Sequence, residues 1–100
     1  MADQSPLPAV RHLQESHGGA FVIERDGERL AEMTYVGDTG GSATVNHTWV
    51  SDALRGQGVA KRLVDACVDW ARASGTRIVP TCSYAQAVFK RHDELKDVLA

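Results

Sequence analysis

The sequence predicts a mixed α/β chain of the α+β class: an antiparallel β-meander that runs into a βαβ unit, followed by a C-terminal helix. Three observations predict it. Asp26-Gly27 separates two β-rich runs, and this dipeptide suits a two-residue hairpin turn. From Val59 to Ala73, Val59, Leu63, Ala66, Cys67 and Trp70 recur at helical spacing and make one apolar face, and Gly75 follows as a helix-ending glycine. Arg77 to Thr81 then forms a short β-rich run around Ile78-Val79, stopped by Pro80. Strand, helix, strand implies that the last strand lies parallel to the one before the helix.

Taken in order, residues 1–9 hold two prolines and mostly small or polar side chains, and read as a flexible terminus; residues 10–100 read as one domain. Val10 to Leu13 suits a short edge strand, an open edge that leaves the chain a monomer or a weak homodimer. His12 and His17 stand in polar surroundings and read as surface histidines. Ala20 to Arg25 is a strand with Phe21 and Ile23 on one face. Its partner, Arg29 to Val36, alternates Leu30, Glu32, Thr34 and Val36 against Ala31, Met33 and Tyr35. Both of its faces are partly apolar, which predicts cover on each side. Gly37 to Gly41 is a turn, and Ala43 to Val50 a third strand with Trp49 near its end. After the βαβ unit, Ser83 to Arg91 is a shorter helix with Ala85, Val88 and Phe89 inward, and Asp93 to Leu99 a final helical turn.

The start of the long helix departs from the usual pattern. A helix leaves its first backbone N–H groups without partners, and Ser, Thr, Asp or Asn ordinarily caps them. Here the turn is Arg55-Gly56-Gln57-Gly58-Val59-Ala60. Acidic residues ordinarily fill the first turn, yet Lys61 and Arg62 stand there, and no Asp or Glu occurs between Asp52 and Asp65. Bare amides, glycines that allow close approach and added positive charge favour an external anion such as a phosphate. A tight turn with a solvated cationic face is the competing reading. The stretch lacks the Gly-Lys-Ser/Thr ending of a Walker A loop, and Lys61 stands where the dinucleotide fingerprint needs glycine. Strands 43–50 and 77–81 end beside this turn, where ligands of βαβ units bind.

Composition narrows the field. Of the 100 residues, 43% are apolar and 24% charged, ordinary for a soluble globular protein. A net charge of −2 argues against general nucleic-acid binding, so the cationic cluster suits one small anion. Two Cys give neither a disulfide framework nor a zinc spacing, and no metal is expected. No stretch has the length and apolarity of a membrane span. The expected setting is a reducing, cytoplasmic one, with Cys67 a small core residue.

Arg55-x-x-Gly58-x-Ala60 resembles the acetyl-CoA pyrophosphate motif of the Gcn5-related N-acetyltransferases. His47-Thr48-x-Val50 before it, Pro80-x-Cys82-Ser83-Tyr84 after it and a helix ending in Arg91-His92 resemble the minimal single-domain branch of that superfamily. The similarity covers roughly residues 10–99. It departs in two places: Phe89 stands near where larger members carry a Tyr that protonates the departing thiolate, and Asp93 stands where the small branch often has Pro. The resemblance implies the minimal form of that fold, an acetyl-CoA donor and an amine acceptor. The N–H groups of Arg55, Gly56, Gln57, Gly58, Val59 and Ala60 would hold the pyrophosphate, and Lys61 or Arg62 a further phosphate. The pantetheine arm would pair along Thr48, Trp49 and Val50, with the thioester near Cys82 and the adenosine end near Arg91 and His92.

Acetyl transfer needs a neutral amine, a polarised thioester carbonyl and a proton for the leaving thiolate. An N–H near Val50 suits the second task. Cys82, ahead of a helix, suits a proton donor or an acetyl-accepting nucleophile; a packed small residue is the alternative. His47 is the candidate base, or else a buried hydrogen-bonded histidine. Tyr84 is an alternative acid, or a ring that only packs. Two functions follow: an acetyl-CoA-dependent N-acetyltransferase, or a non-catalytic acyl-CoA-binding module or sensor.

Overall fold

The computed structural model describes residues 7–100. Of the terminus expected to be flexible, residues 1–6 lie outside the described residues, while Leu7 and the following Val10 pack against the core. Five strands form one sheet in sequential order: β1 (Arg11–Glu15), β2 (Gly18–Arg25), β3 (Glu28–Gly37), β4 (Ser42–Val50) and β5 (Arg77–Pro80). The first four pair antiparallel, and β5 pairs parallel to β4. Helix α1 (Val59–Ser74) makes the crossover between β4 and β5, and α2 (Ser83–Arg91) and a 3-10 turn (Asp93–Val98) close the chain.

The β2–β3 turn has the geometry its residues predict. Asp26 and Gly27 both take positive φ, 53° and 80°, as a primed hairpin turn requires. Helix α1 ends at Gly75 in the left-handed region, and Thr76 N–H returns to the Ala71 carbonyl. Its buried face is wider than the spacing alone suggested. Val64, Val68 and Ala71 are buried beside Val59, Leu63 and Cys67, whereas Ala66 and Trp70 are only partly covered. Burial of the Cys67 thiol pushes its pKa up to about 12, which fits its expected role as a core residue.

The helices pack on one face of the sheet. Phe21, Ile23, Ala31, Met33, Tyr35, Ala43 and Val45 meet α1 and α2 there in one core. The expectation that β3 is covered on both sides therefore fails. Its second face carries Glu32, Thr34 and Val36, and Val36 stays 56% exposed. In place of a helix, a row of ion pairs crosses that outer face. Arg11 bonds Glu24 at 3.0 Å, Arg29 lies 3.2 Å from Glu24 and 3.3 Å from Glu32, and Glu32 lies 3.5 Å from His47. Val22 shares this face yet is fully buried; the aliphatic stems of such long side chains cover apolar surface while their heads stay wet.

A bulge resets β4. Thr34 pairs with His47 and Tyr35 with Val45, which leaves Asn46 as the extra residue, its side chain bonded by the Thr34 hydroxyl at 2.7 Å. Before the bulge Ala43 and Val45 face the core; after it Thr48 and Val50 do. His47 consequently points outward, 55% exposed, rather than into the buried setting that plain alternation allowed.

His12 corrects a second expectation. It is not a surface histidine. Its ring stacks on Phe21 with centroids 4.2 Å apart, meets Trp70 edge-on at 5.0 Å, and its Nε2 lies 2.6 Å from the Tyr35 hydroxyl. Burial lowers the His12 pKa and raises that of Tyr35. His17 is exposed as expected, beside Asp38 at 2.9 Å.

Candidate functional site

The sheet opens between β4 and β5. Their pairing ends at Val45 and Pro80; Arg77 and Thr81 donate toward β4, so by alternation Pro80 turns its nitrogen to the outer edge of the sheet, where a missing N–H costs no ladder bond. Beyond it, Thr81 N–H, Cys82 N–H and the Thr81 hydroxyl all converge on the Val45 carbonyl, at 2.9, 3.2 and 3.1 Å, and the chain turns into α2. From Asn46 onward β4 has no strand beside it on that edge. Ser51 N–H donates to Leu30 in β3, so by alternation the backbone groups of Thr48 and Val50 face the open edge.

The glycine turn lies at the end of this edge. A short 3-10 turn (Asp52–Leu54) leads to Gly56 and Gly58, with φ of 79° and 72°. A Cβ at either position would meet no protein atom within 4 Å. Glycine is therefore required here by backbone conformation, and the space above it is open. No side chain caps α1. Its first intrahelical bond runs from Arg62 N–H to the Gly58 carbonyl, and among the described residues the N–H groups of Gly56 to Lys61 meet no protein acceptor. Six donors face outward at the positive end of a helix of 16 residues, an arrangement that favours an anion.

Two clefts adjoin the turn. One, of about 160 Å³, is lined by Val50, Leu54, Arg55, Gly56, Gly58, Val59, Ala60 and Tyr84. The other, of about 420 Å³ between α1 and α2, is lined by Gly58, Ala60, Lys61, Tyr84, Ala87, Val88, Arg91 and His92. They share Gly58, Ala60 and Tyr84, so Tyr84, 39% exposed in the first turn of α2, walls both. Leu54 and Ala87 gave no sequence signal, because neither carries chemistry and their place depends on how the elements pack.

The cations divide. Lys61 and Arg91 line the larger cleft, Lys61 also bonding Asp65 at 2.9 and 3.1 Å, which holds its pKa above the usual value. Arg55 lines the smaller cleft with its Nε 3.1 Å from Asp52. Arg62 lines neither; its guanidinium donates to the Pro8 carbonyl at 2.9 Å and anchors the N-terminal segment. Gln57 reaches back to the Ala53 carbonyl at 3.2 Å.

Cys82 is the N-cap of α2 and half-buried, with its Sγ 3.1 Å from the Thr48 hydroxyl across the gap between the strands. Thiol, hydroxyl and the free Thr48 and Val50 amides thus meet where β4 and β5 part. His47 and Trp49 lie on the other face of β4, Trp49 opposite Glu32 in the β3–β4 register. Phe89 is buried in the core and offers no hydroxyl to the clefts. No group of ligands able to hold a metal occurs among the described residues. Among the described residues, no helix is long and apolar enough to cross a membrane.

Comparison with known proteins follows the same line. The family model described as GCN5-related N-acetyl-transferase matches residues 20–98. A GCN5-like protein from Staphylococcus aureus, solved by NMR, is 35% identical, aligns over 90% of this chain and 87% of its own, and superposes with a TM-score of 0.68. Two solved structures share the fold at lower identity. The ribosomal-protein-alanine N-acetyltransferase of Brucella melitensis biovar Abortus 2308 is 20% identical over 77% of this chain and 62% of its own, with a TM-score of 0.60. The aminoglycoside N-acetyltransferase AAC(6')-Iy in complex with CoA is 22% identical over 81% and 68%, with a TM-score of 0.56. No curated protein matches the sequence. With the sequential sheet, the crossover helix, the glycine turn and the parted strands all in place, the chain belongs to the GCN5-related N-acetyltransferase family.

Proposed function

We propose that the protein is an acetyl-CoA-dependent N-acetyltransferase that acts on an amine. The observation that carries the reading is the row of unpartnered amides from Gly56 to Lys61, continuous with the open Thr48–Val50 edge. The amides bind the pyrophosphate, and Lys61 and Arg91 attract the phosphorylated adenosine end in the larger cleft. The free backbone groups of Thr48 and Val50 pair with the amide-rich pantetheine as an added strand would. That CoA occupies the aminoglycoside enzyme of the same fold supports the choice of donor.

In the reaction the Val50 N–H polarises the thioester carbonyl, and the amine attacks its carbon. His47 takes the proton the amine loses. As the C–S bond breaks, Cys82 donates the proton for the CoA thiolate and is recharged through the Thr48 hydroxyl, 3.1 Å away. Tyr84, on the wall of both clefts, bounds the path of the cofactor. The two free cysteines suit a reducing, cytoplasmic setting.

A specific observation favours a second reading, a non-catalytic acyl-CoA-binding module: the residue near the position of the usual acid is Phe89, buried and without a hydroxyl. Calorimetric titration with acetyl-CoA, followed by thiol release in the presence of amines, separates the two. Saturable binding with amine-dependent CoA release is the expected result. Binding without release assigns the module, and no binding rejects both. Mass spectrometry of Cys82 during turnover checks the donor role, because a trapped acetyl group there makes it a nucleophile instead.

A further inference from the structure

The two outer edges of the sheet differ. Beyond β5 the chain's own last residues close the edge: Leu99 bridges Ile78, and Ala100 N–H donates to the Ile78 carbonyl at 3.0 Å. Beyond β1 no strand pairs among the described residues. The phase of that edge is fixed. A Cβ at Gly19 would strike the Leu13 carbonyl, so Leu13 turns its backbone polar groups to β2. By alternation the N–H and C=O groups of His12 and Gln14 face outward. Arg11 lies opposite Val22, which puts the side chains of Arg11, Leu13 and Glu15 on the face of the sheet away from the helices. Arg11 is 64% exposed beside Glu24. Glu15 is exposed and, among the described residues, has no ion-pair or hydrogen-bond partner.

A strand with a cation at one end, an anion at the other and a leucine midway is complementary to itself. Set antiparallel about a two-fold axis through Leu13, it opposes Arg11 to Glu15 of the second copy, twice, and Leu13 to Leu13. His12 and Gln14 then face each other across the axis, and theirs are the backbone groups that point outward to bond. Other settings fit worse. An axis through His12 sets Arg11 against Leu13, and an axis through Gln14 sets Leu13 against Glu15. An axis between two residues opposes outward backbone groups to inward ones and leaves the ladder unmade. We propose that a second copy of this chain pairs with β1 in the Leu13-centred register, giving a two-fold dimer with one continuous sheet of ten strands, five from each copy. The Arg11 guanidinium carries five N–H donors, enough to keep Glu24 and to meet Glu15 of the second copy. The open edge of β4, three strands away, stays free in both copies, so association does not depend on the cofactor.

A strand of five residues buries less than the roughly 1,000 Å² of stable interfaces, so a dissociation constant of about 10–1000 µM is expected. Sedimentation equilibrium of the full chain across that range is the test, with amide hydrogen exchange followed by NMR. The His12 and Gln14 amides should gain protection as concentration rises, while the Leu13 amide, already turned to β2, should not change. Glu15→Arg opposes like charges at both ends and should weaken association at least about tenfold. Because Glu15 has no partner within the chain, the thermal unfolding of that variant should match the parent. Arg11→Glu should weaken association likewise, losing only the exposed Glu24 pair within its own copy. Mixed one to one, the two variants oppose unlike charges at both ends again, and heterodimers of near-parental affinity are expected. A monomer throughout the range, association indifferent to Glu15→Arg, or no recovery in the mixture overturns the pairing. So does a monomer whose His12 and Gln14 amides gain protection only with an added extended peptide, which gives the edge to a foreign strand.

Discussion

The two ends of the sheet are built on opposite rules. Among the described residues, the buried polar side chains around β1 and β2 all have partners. His12 and the Tyr35 hydroxyl satisfy each other at 2.6 Å, and Phe21 and Trp70 enclose the pair. Where β4 and β5 part, donors are left open: six loop and helix amides and the free edge of β4. Unmade backbone hydrogen bonds are tolerable only where water or a ligand supplies them. The difference teaches that the closed end satisfies its buried polar groups within the fold and the open end leaves donors that the fold does not use. Changes at the first should cost stability, and changes at the second should cost affinity.

The strongest break of that division is Phe21→Ala. It removes a buried ring from the closed end and should cost about 3–5 kcal/mol in denaturant unfolding. If the two ends are separate, the folded fraction should still bind acetyl-CoA with unaltered affinity. Gly58→Glu is the converse. It places a carboxylate beside the bare amides of the glycine turn and a side chain at φ 72°, and should lower acetyl-CoA affinity about a hundredfold or more in calorimetry. Its own folding cost should stay near 1–2 kcal/mol, since no protein atom is in the way. Equal loss of stability and affinity in either variant would merge the ends into one unit.

Two smaller tests sharpen the picture of the closed end. Tyr35→Phe deletes the hydroxyl that meets His12 and should cost about 1 kcal/mol with no change in ligand affinity. The pH dependence of unfolding should be the weakest signal. The His12 pKa is lowered in the fold, so below 6.5 the unfolded chain binds more protons than the native one. Stability should therefore decline as pH falls from 6.5 toward the native value. The Tyr35 pKa is raised above 10.0, so stability should also fall as pH rises past 10.0. His12→Gln should flatten the acid limb in pH-dependent denaturation, and a slope unchanged by that variant would assign it to other groups.

Most of the fold was legible because its signals are local. Asp26-Gly27 needs only its own backbone preferences to make a primed turn. Gly75 needs only a helix to end. The alternation of Ala31, Met33 and Tyr35 marked the core face of β3, and all three are buried. Residues at the glycine turn were legible for the same reason: bare amides and missing acids are features of one short stretch. The outer face was not. An apolar residue such as Val36 carries no sign of whether another layer will cover it, and Val22, opposite Arg11 and Glu32 in the sheet, is fully buried on the same face.

By itself, then, the sequence determined the order of strands and helices, the hairpin, the left-handed glycines and the anion-favouring start of α1. Each follows from torsional preference, periodicity or the dipole of a single element. Only the tertiary structure decided that one extra residue, Asn46, turns His47 out to solvent and Thr48 in toward Cys82. It also decided that His12 belongs to an aromatic cluster and that Arg62 holds Pro8 rather than lining the clefts at the glycine turn. Those outcomes depend on register and on partners distant in the chain, and no short stretch of sequence contains them.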